Sequence, residues 1–178
     1  MKPSRPIGVT TSKPLGWTDH LRTADMEVRV GQLGVIQGDL GPLRCRAVGA
    51  TVAICFAVEE DRVAGVLHVG FPSARQHRAL ATSHPLLFAD RAIAHLETVL
   101  AGRGFAPSEV VVRVVGAGGL LDNSAPLDGP GRLLRSVEVA LTAHGYAIRD
   151  RHVGGSLART LTQHADGRLL LMMPGGQR

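Results

Sequence analysis

Two apolar runs separated by four charged residues constrain this chain more than any other feature. Thr51–Val58 and Val63–Val69 consist largely of Val, Ala, Ile and Leu, with Glu59-Glu60-Asp61-Arg62 between them. Short runs rich in β-branched side chains and bounded by a polar turn read as the two strands of a β-hairpin with at least one face against a core. Ahead of the first strand, Gly49-Ala50 lets the backbone come close to whatever lies opposite. Near the end of the second strand, His68 is a polar side chain in an otherwise apolar run. A buried histidine needs a hydrogen-bonding partner, so this position is either a satisfied core residue or part of a site.

The remaining segments supply the cover that such a hairpin requires. Residues 1–24 are rich in Pro, Ser, Thr and Lys and show no apolar period, which predicts a flexible tail, with one domain over residues 25–178. Met26–Val30 alternates apolar and polar residues, Val35-Ile36 follows, and Leu43–Val48 leads as a strand into the Gly49 corner. Ser73–His84 is polar and basic and reads as a loop. A helix is predicted over Leu86–Leu100, with Leu86, Ala89, Ile93, Leu96 and Leu100 on one face. Ser83 is placed to cap it, Pro85 suits its first turn, and Gly102 and Gly104 end it. Glu109–Val115 is nearly all valine, as a strand buried on both faces would be. A second helix spans Leu133–His144 with Gly145 as its stop, and Tyr146–Asp150, Leu157–Leu161 and Arg168–Met172 close the chain. This order predicts an α+β fold: a three-layer, sandwich-like single domain with a mixed, largely antiparallel sheet and two main helices.

Composition excludes several function classes. Aromatics make up 3% of a chain that is 44% hydrophobic, so the core is built from Val, Leu, Ile and Ala. The formal charge is +5, but the arginines are scattered and no aromatics interleave with them, which argues against nucleic acid as a partner. Cys45 and Cys55 provide neither a disulfide framework nor metal-ligand spacing. His77 and His84 have no acidic companion, so they read as surface histidines, and no metal or cofactor is expected. The glycines of Gly116-Ala117-Gly118-Gly119 lack the Lys and Thr of a phosphate loop and read as close backbone packing. No apolar run reaches the roughly 20 residues that span a bilayer, and the N-terminal stretch has no secretory apolar core. The expectation is a cytoplasmic protein without membrane insertion.

The frame Gly49-Ala50-Thr51-Val52-Ala53-Ile54-Cys55, followed by His68-Val69-Gly70-Phe71-Pro72, resembles the CheD family. These are the chemoreceptor glutamine deamidases of bacterial and archaeal chemotaxis. That family carries a Gly-Ser-Cys-Val-Ala-Val-Cys-like strand and then His-x-x-Leu-Pro. Phe88-Ala89-Asp90-Arg91-Ala92-Ile93, the glycine turn at Gly116, and Gly154, Gly155 and Arg159 continue the resemblance, which spans about residues 26 to 173. Three positions depart from the pattern: Phe88 replaces a tyrosine, Leu133 an asparagine and His152 an acid. The resemblance implies a catalytic set of Thr51, His68 and Cys45, and substrate contacts from Gly49, Ala50, Arg132, Gly154 and Gly155. It implies as partners the cytoplasmic helices of methyl-accepting chemoreceptors and a CheC-like phosphatase.

One exchange governs the chemistry. The family attacks the glutamine amide with a histidine-activated cysteine, assisted by a threonine six residues upstream, and hydrolyses the resulting thioester. Here Thr51 stands at the nucleophile position and Cys45 at the upstream one. A thiol with a pKa of about 8.5 is readily ionised beside an imidazole, whereas a threonine hydroxyl needs a base to attack at all. No orienting carboxylate is evident in the sequence, and the extra methyl restricts the threonine rotamers. Three readings follow. The protein is a non-catalytic, partner-binding member of such a family; or it is a working deamidase using Thr51–His68 or a relocated Cys45–His68 pair; or His68 is an ordinary core histidine.

Overall fold

The computed structural model describes residues 9–11, 26–119 and 129–174. At its centre β5 (Val52–Val58) and β6 (Val63–Val69) pair antiparallel from Val52↔Val69 to Val58↔Val63, and every residue of both strands is buried. Burial on two faces means two cores, because successive side chains of a strand point to opposite sides. Val52, Ile54, Phe56 and Val58 enter one core, while Ala53, Cys55 and Ala57 enter the other. The Phe56 ring lies across the hairpin over Gly65, where a Cβ would overlap it.

A six-stranded sheet extends from this hairpin on both sides. β3 (Gln32–Gln37) pairs antiparallel with β6, and β1 (Val9–Thr11) pairs antiparallel with β3. On the other side β7 (Val111–Gly116) pairs antiparallel with β5, and β8 (Ile148–Val153) runs parallel to β7. A second sheet has the order β10 (Leu169–Met172), β9 (Arg159–Gln163), β4 (Leu43–Val48), β2 (Met26–Glu27). The three main helices are α1 (Arg78–Ser83), α2 (Ala89–Ala101) and α3 (Gly129–Ala143).

The layers are therefore helices, six-stranded sheet, four-stranded sheet, in one α+β domain. Helix α2 buries Ala89, Ala92, Ile93, Leu96 and Leu100, and α3 buries Leu133, Val137 and Leu141, against the first sheet. Each fully buried Leu or Ile stabilises the packing by roughly 1.5–3 kcal/mol. The second core is the sheet-to-sheet interface, where Met26, Leu43, Cys45, Val48 and Leu161 meet Ala53, Cys55, Ala57, Ala64, Val66 and Val115. Dividing the strands between two sheets is what gives β5 and β6 cover on both faces.

Local boundaries differ from the sequence expectation for identifiable reasons. Helix α2 starts at Ala89 rather than Leu86, because Pro85–Leu87 form a 3-10 turn held from outside. Gly70 N and Phe71 N both donate to Leu87 O at 2.9 Å, and Ala89 N donates to Phe71 O at 2.9 Å. Ser83 does not cap α2; it ends α1, its hydroxyl donating to Leu80 O at 3.2 Å. The segment expected to be a loop, Ser73–His84, contains α1 and a 3-10 turn. Helix α1 buries no residue, so it left no apolar period to read. Of the expected N-terminal tail, Val9–Thr11 lie along β3, and the rest of residues 1–24, Trp17 included, falls outside the described residues.

Candidate active site

The segment Gly49-Ala50-Thr51 carries the chain from β4 in one sheet to β5 in the other. Just before it, β4 changes register between Cys45 and Val48, with Ala47 at φ 55°. A ladder of backbone bonds fixes the corner. Ala117 N donates to Thr51 O at 2.9 Å and Gly118 N to Gly49 O at 2.8 Å. Gly154 N donates to Gly116 O at 2.9 Å, and Gly119 N to Gly155 O at 3.0 Å. Gly116 has φ 120°, and a Cβ there would overlap Thr51 O, so only glycine lets β7 end against the corner. Gly49, Ala50, Gly154 and Gly155 thus gather at the Thr51 end of the sandwich.

Three side chains from three different elements meet here. His68 Nε2 lies 2.7 Å from Thr51 Oγ1, and His68 Nδ1 lies 3.1 Å from Cys45 Sγ. Strand β6 brings the imidazole, β4 of the facing sheet brings the sulfur, and the corner before β5 brings the hydroxyl. His68 is 2% exposed and Cys45 0% exposed, while Thr51 is half-buried. Solvent therefore meets the trio on the Thr51 side, and Cys45 forms its inner end.

Burial also sets the protonation states. His68 is pushed down to about 4 by burial, with the Val28 backbone pulling weakly the other way. Cys45 is pushed up to about 12, first by burial and second by the negative charge of Glu27. Cys55 is held well above the usual thiol range by complete burial. At neutral pH the inner pair is a thiol and a neutral imidazole rather than a thiolate and an imidazolium. Two tautomers satisfy the geometry. If Nδ1 carries the proton, Nε2 accepts from the Thr51 hydroxyl and acts as a base toward it; if Nε2 carries it, the hydroxyl accepts and is not activated.

Arg132 is exposed on the first turn of α3. One turn later the Ser136 hydroxyl donates to Pro72 O at 2.8 Å, tying that helix to the exit of β6. His77 is exposed, its ring tilted against Phe71 at 5.5 Å and stacked on Phe88 at 6.1 Å, and His84 Nδ1 pairs with the Ser83 hydroxyl at 2.8 Å. Two residues that the sequence matched to the family pattern without a role prove to be supporting ones. Arg159 Nη2 donates to Gly154 O at 2.6 Å and holds the Gly154-Gly155 turn. Asp90 accepts from the Ser73 hydroxyl at 3.0 Å and from Ala74 N at 3.2 Å, fixing the segment after Pro72 onto α2. Arg159 acts within its own turn, whereas Asp90 reaches a segment remote in sequence, which spacing alone cannot reveal.

A hydroxyl, an imidazole and an inner thiol thus meet at a corner between two sheets of a layered α+β domain. The family model described as CheD chemotactic sensory transduction matches residues 71–172, more than half of the chain. The chain belongs to the CheD family. It is similar to proteins named as probable chemoreceptor glutamine deamidases CheD. That of Oceanobacillus iheyensis is 29% identical over 154 residues, covering 84% of this chain and 91% of the relative. That of Solibacter usitatus is 26% identical over 133 residues, 74% of this chain and 79% of the relative. One from Clostridium botulinum is 23% identical over 159 residues, 87% and 96%. Among the described residues, no helix is long and apolar enough to cross a membrane, and no group of three or more His, Cys, Asp or Glu could hold a metal ion.

Proposed function

We propose that this protein recognises glutamine-bearing cytoplasmic helices of chemoreceptors and turns over their side chains far more slowly than a cysteine-dependent deamidase would. One observation carries this reading: the group facing solvent is a hydroxyl, 2.7 Å from an imidazole whose pKa lies near 4. A general base works best when its pKa lies near the operating pH. His68 is a weak base for an alcohol that ionises far less readily than a thiol, and its ring nitrogens face Cys45 and Thr51 rather than a carboxylate that would stabilise the imidazolium formed on attack. The family relationship and the names of the relatives support the receptor as partner. A CheC-like phosphatase is a second partner class, and the cytoplasm, where receptor signalling helices lie, is the compartment this reading requires.

The test compares wild type with the double variant Cys45→Thr, Thr51→Cys, which returns a thiol to the solvent side of His68. Binding of a receptor cytoplasmic fragment and ammonia release from it are measured on both proteins. Both are expected to bind, with rapid ammonia release from the double variant alone. Ammonia release by wild type at the rate of the double variant would overturn the slow-turnover reading. Failure of both folded proteins to bind would overturn the receptor assignment. The short Thr51–His68 contact favours a second reading, a slow hydroxyl-dependent deamidase. In that case residual wild-type ammonia release disappears in Thr51→Val and persists in Thr51→Ser.

A further inference from the structure

The two sheets present four edge strands among the described residues: β1 and β8 in one sheet, β10 and β2 in the other. An unpaired edge is a template for another strand, and proteins usually blunt it by shortness, charge, proline or a bulge. Three of these edges are blunted. Strand β2 is two residues long and β1 three. Strand β8 carries Arg149, Asp150 and Arg151, which pair with Glu59 at 3.6 Å, Arg113 at 3.1 Å and Glu138 at 2.7 Å. Strand β10, four residues long, has no charge, proline or bulge to blunt it. It reads Leu169-Leu170-Leu171-Met172 and pairs with β9 without a register shift. Leu169 and Leu171 pack on the sheet-to-sheet core, whereas Leu170 and Met172 are 53% and 68% exposed.

We propose that β10 is a homodimer interface. The β10 strands of two copies pair antiparallel across a two-fold axis and join two four-stranded sheets into one of eight. The occupant is a second copy because the strand is complementary to itself. Pairing centred on Leu171 sets Leu170 of each copy against Met172 of the other, an apolar pair on the same face at both ends of the axis. In that register Arg168 opposes Pro174, so the two arginines lie at opposite ends and no like charges face each other. Each Arg168 is already neutralised within its own chain by Asp166, at 2.7 Å. Pro174 has no N–H to donate, which ends the paired stretch. Pairing uses up the one apolar edge among the described residues and leaves the short or charged ones, so assembly closes at two copies. A single strand pair buries less than a standard interface, so the dimer forms reversibly with rising concentration.

Sedimentation equilibrium of the full chain between about 1 μM and about 1 mM tests this. The expected mass rises from one chain to two and stops there. Leu170→Lys and Met172→Lys put a charge at exposed positions and are expected to stay monomeric at the highest concentration, with unchanged far-ultraviolet circular dichroism. The register is read by mixing Leu170→Cys protein with Met172→Cys protein in oxidised glutathione. The mixture is expected to form the intermolecular disulfide faster than either variant alone, since native Cys45 and Cys55 are buried. A wild type that stays monomeric throughout, lysine variants that still dimerise, or a mass that climbs beyond two would each overturn the proposal. A mixture that links no faster than its components would overturn the register.

Discussion

The two cores that flank the central hairpin are built from different materials. On the helix side, Phe56, Leu33, Leu67, Ile93, Leu96, Leu100, Leu133, Leu141 and Tyr146 fill the space with large side chains. Between the sheets the hairpin contributes Ala53, Cys55, Ala57, Ala64 and Val66, small groups that let two backbones approach. The two buried polar residues among those described, His68 and Gln163, point into this second core. Small neighbours leave room for an imidazole at the sheet interface. The same dry surroundings strip that imidazole of its basicity. The site is thus a product of the core built from small side chains, and its chemistry follows from that position: the Cys45 thiol stays protonated beside a neutral His68, and the Thr51 hydroxyl gains little.

The largest contrast between the cores should appear on truncation. Phe56→Ala removes a ring with 1% exposure that spans the hairpin and contacts the helix layer. A loss of about 3–5 kcal/mol is expected, equivalent to a fall in melting temperature of roughly 6–20 °C. Urea or thermal unfolding reads it directly. A cost below about 1 kcal/mol would mean that the helix side is no better packed than the sheet interface.

The second contrast is in acid, where the sheet interface holds the more deeply buried histidine, His68, and the helix layer the partly buried His95. His68 is held near 4 in the folded protein and returns to about 6.5 on unfolding. The unfolded chain therefore binds the proton first as pH falls. Stability from this residue is complete above about pH 6.5 and is lost as pH drops to about 4, with a magnitude of roughly 3 kcal/mol. Unfolding free energies measured across that window should show the slope. A His68→Leu variant, which has no proton to bind, should show it greatly reduced. An unchanged slope in the variant would assign the acid sensitivity elsewhere and leave His68 with an ordinary pKa.

Much of this arrangement was legible in the sequence. The apolar runs Thr51–Val58 and Val63–Val69 announced a hairpin with at least one face on a core, and the resemblance to the CheD family grouped Cys45, Thr51 and His68. What could not be read was which end of the trio faces solvent. That depends on β4 lying in a second sheet, and nothing local to Leu43–Val48 distinguishes one sheet from two. Helix α1 was missed because a helix that buries nothing has no apolar stripe. The start of α2 was misplaced because carbonyl and amide contacts from Phe71, remote in sequence, decide where the 3-10 turn gives way to the α-helix.

The smallest expected effect isolates the sheet interface itself. Cys55 is fully enclosed among Ala53, Ala57, Val66 and Val115, opposite Cys45 and Leu161 of the other sheet. Cys55→Ala removes one sulfur from a core of small side chains, and the neighbouring sheet can settle into part of the space. The cavity left is a fraction of that left by Phe56→Ala, so the expected loss is about 1 kcal/mol. Because Cys55 makes no bond to His68, whose two ring nitrogens face Cys45 and Thr51, the acid transition of His68 should keep its position in this variant. Unfolding in urea at neutral pH and again near pH 5 measures both quantities on one protein. A loss comparable to that of Phe56→Ala would show that the two sheets are locked as tightly as the helix layer, and that the inner end of the trio has no freedom to adjust. A shift of the acid transition without a large loss would instead show that Cys55 helps to keep the His68 pocket dry.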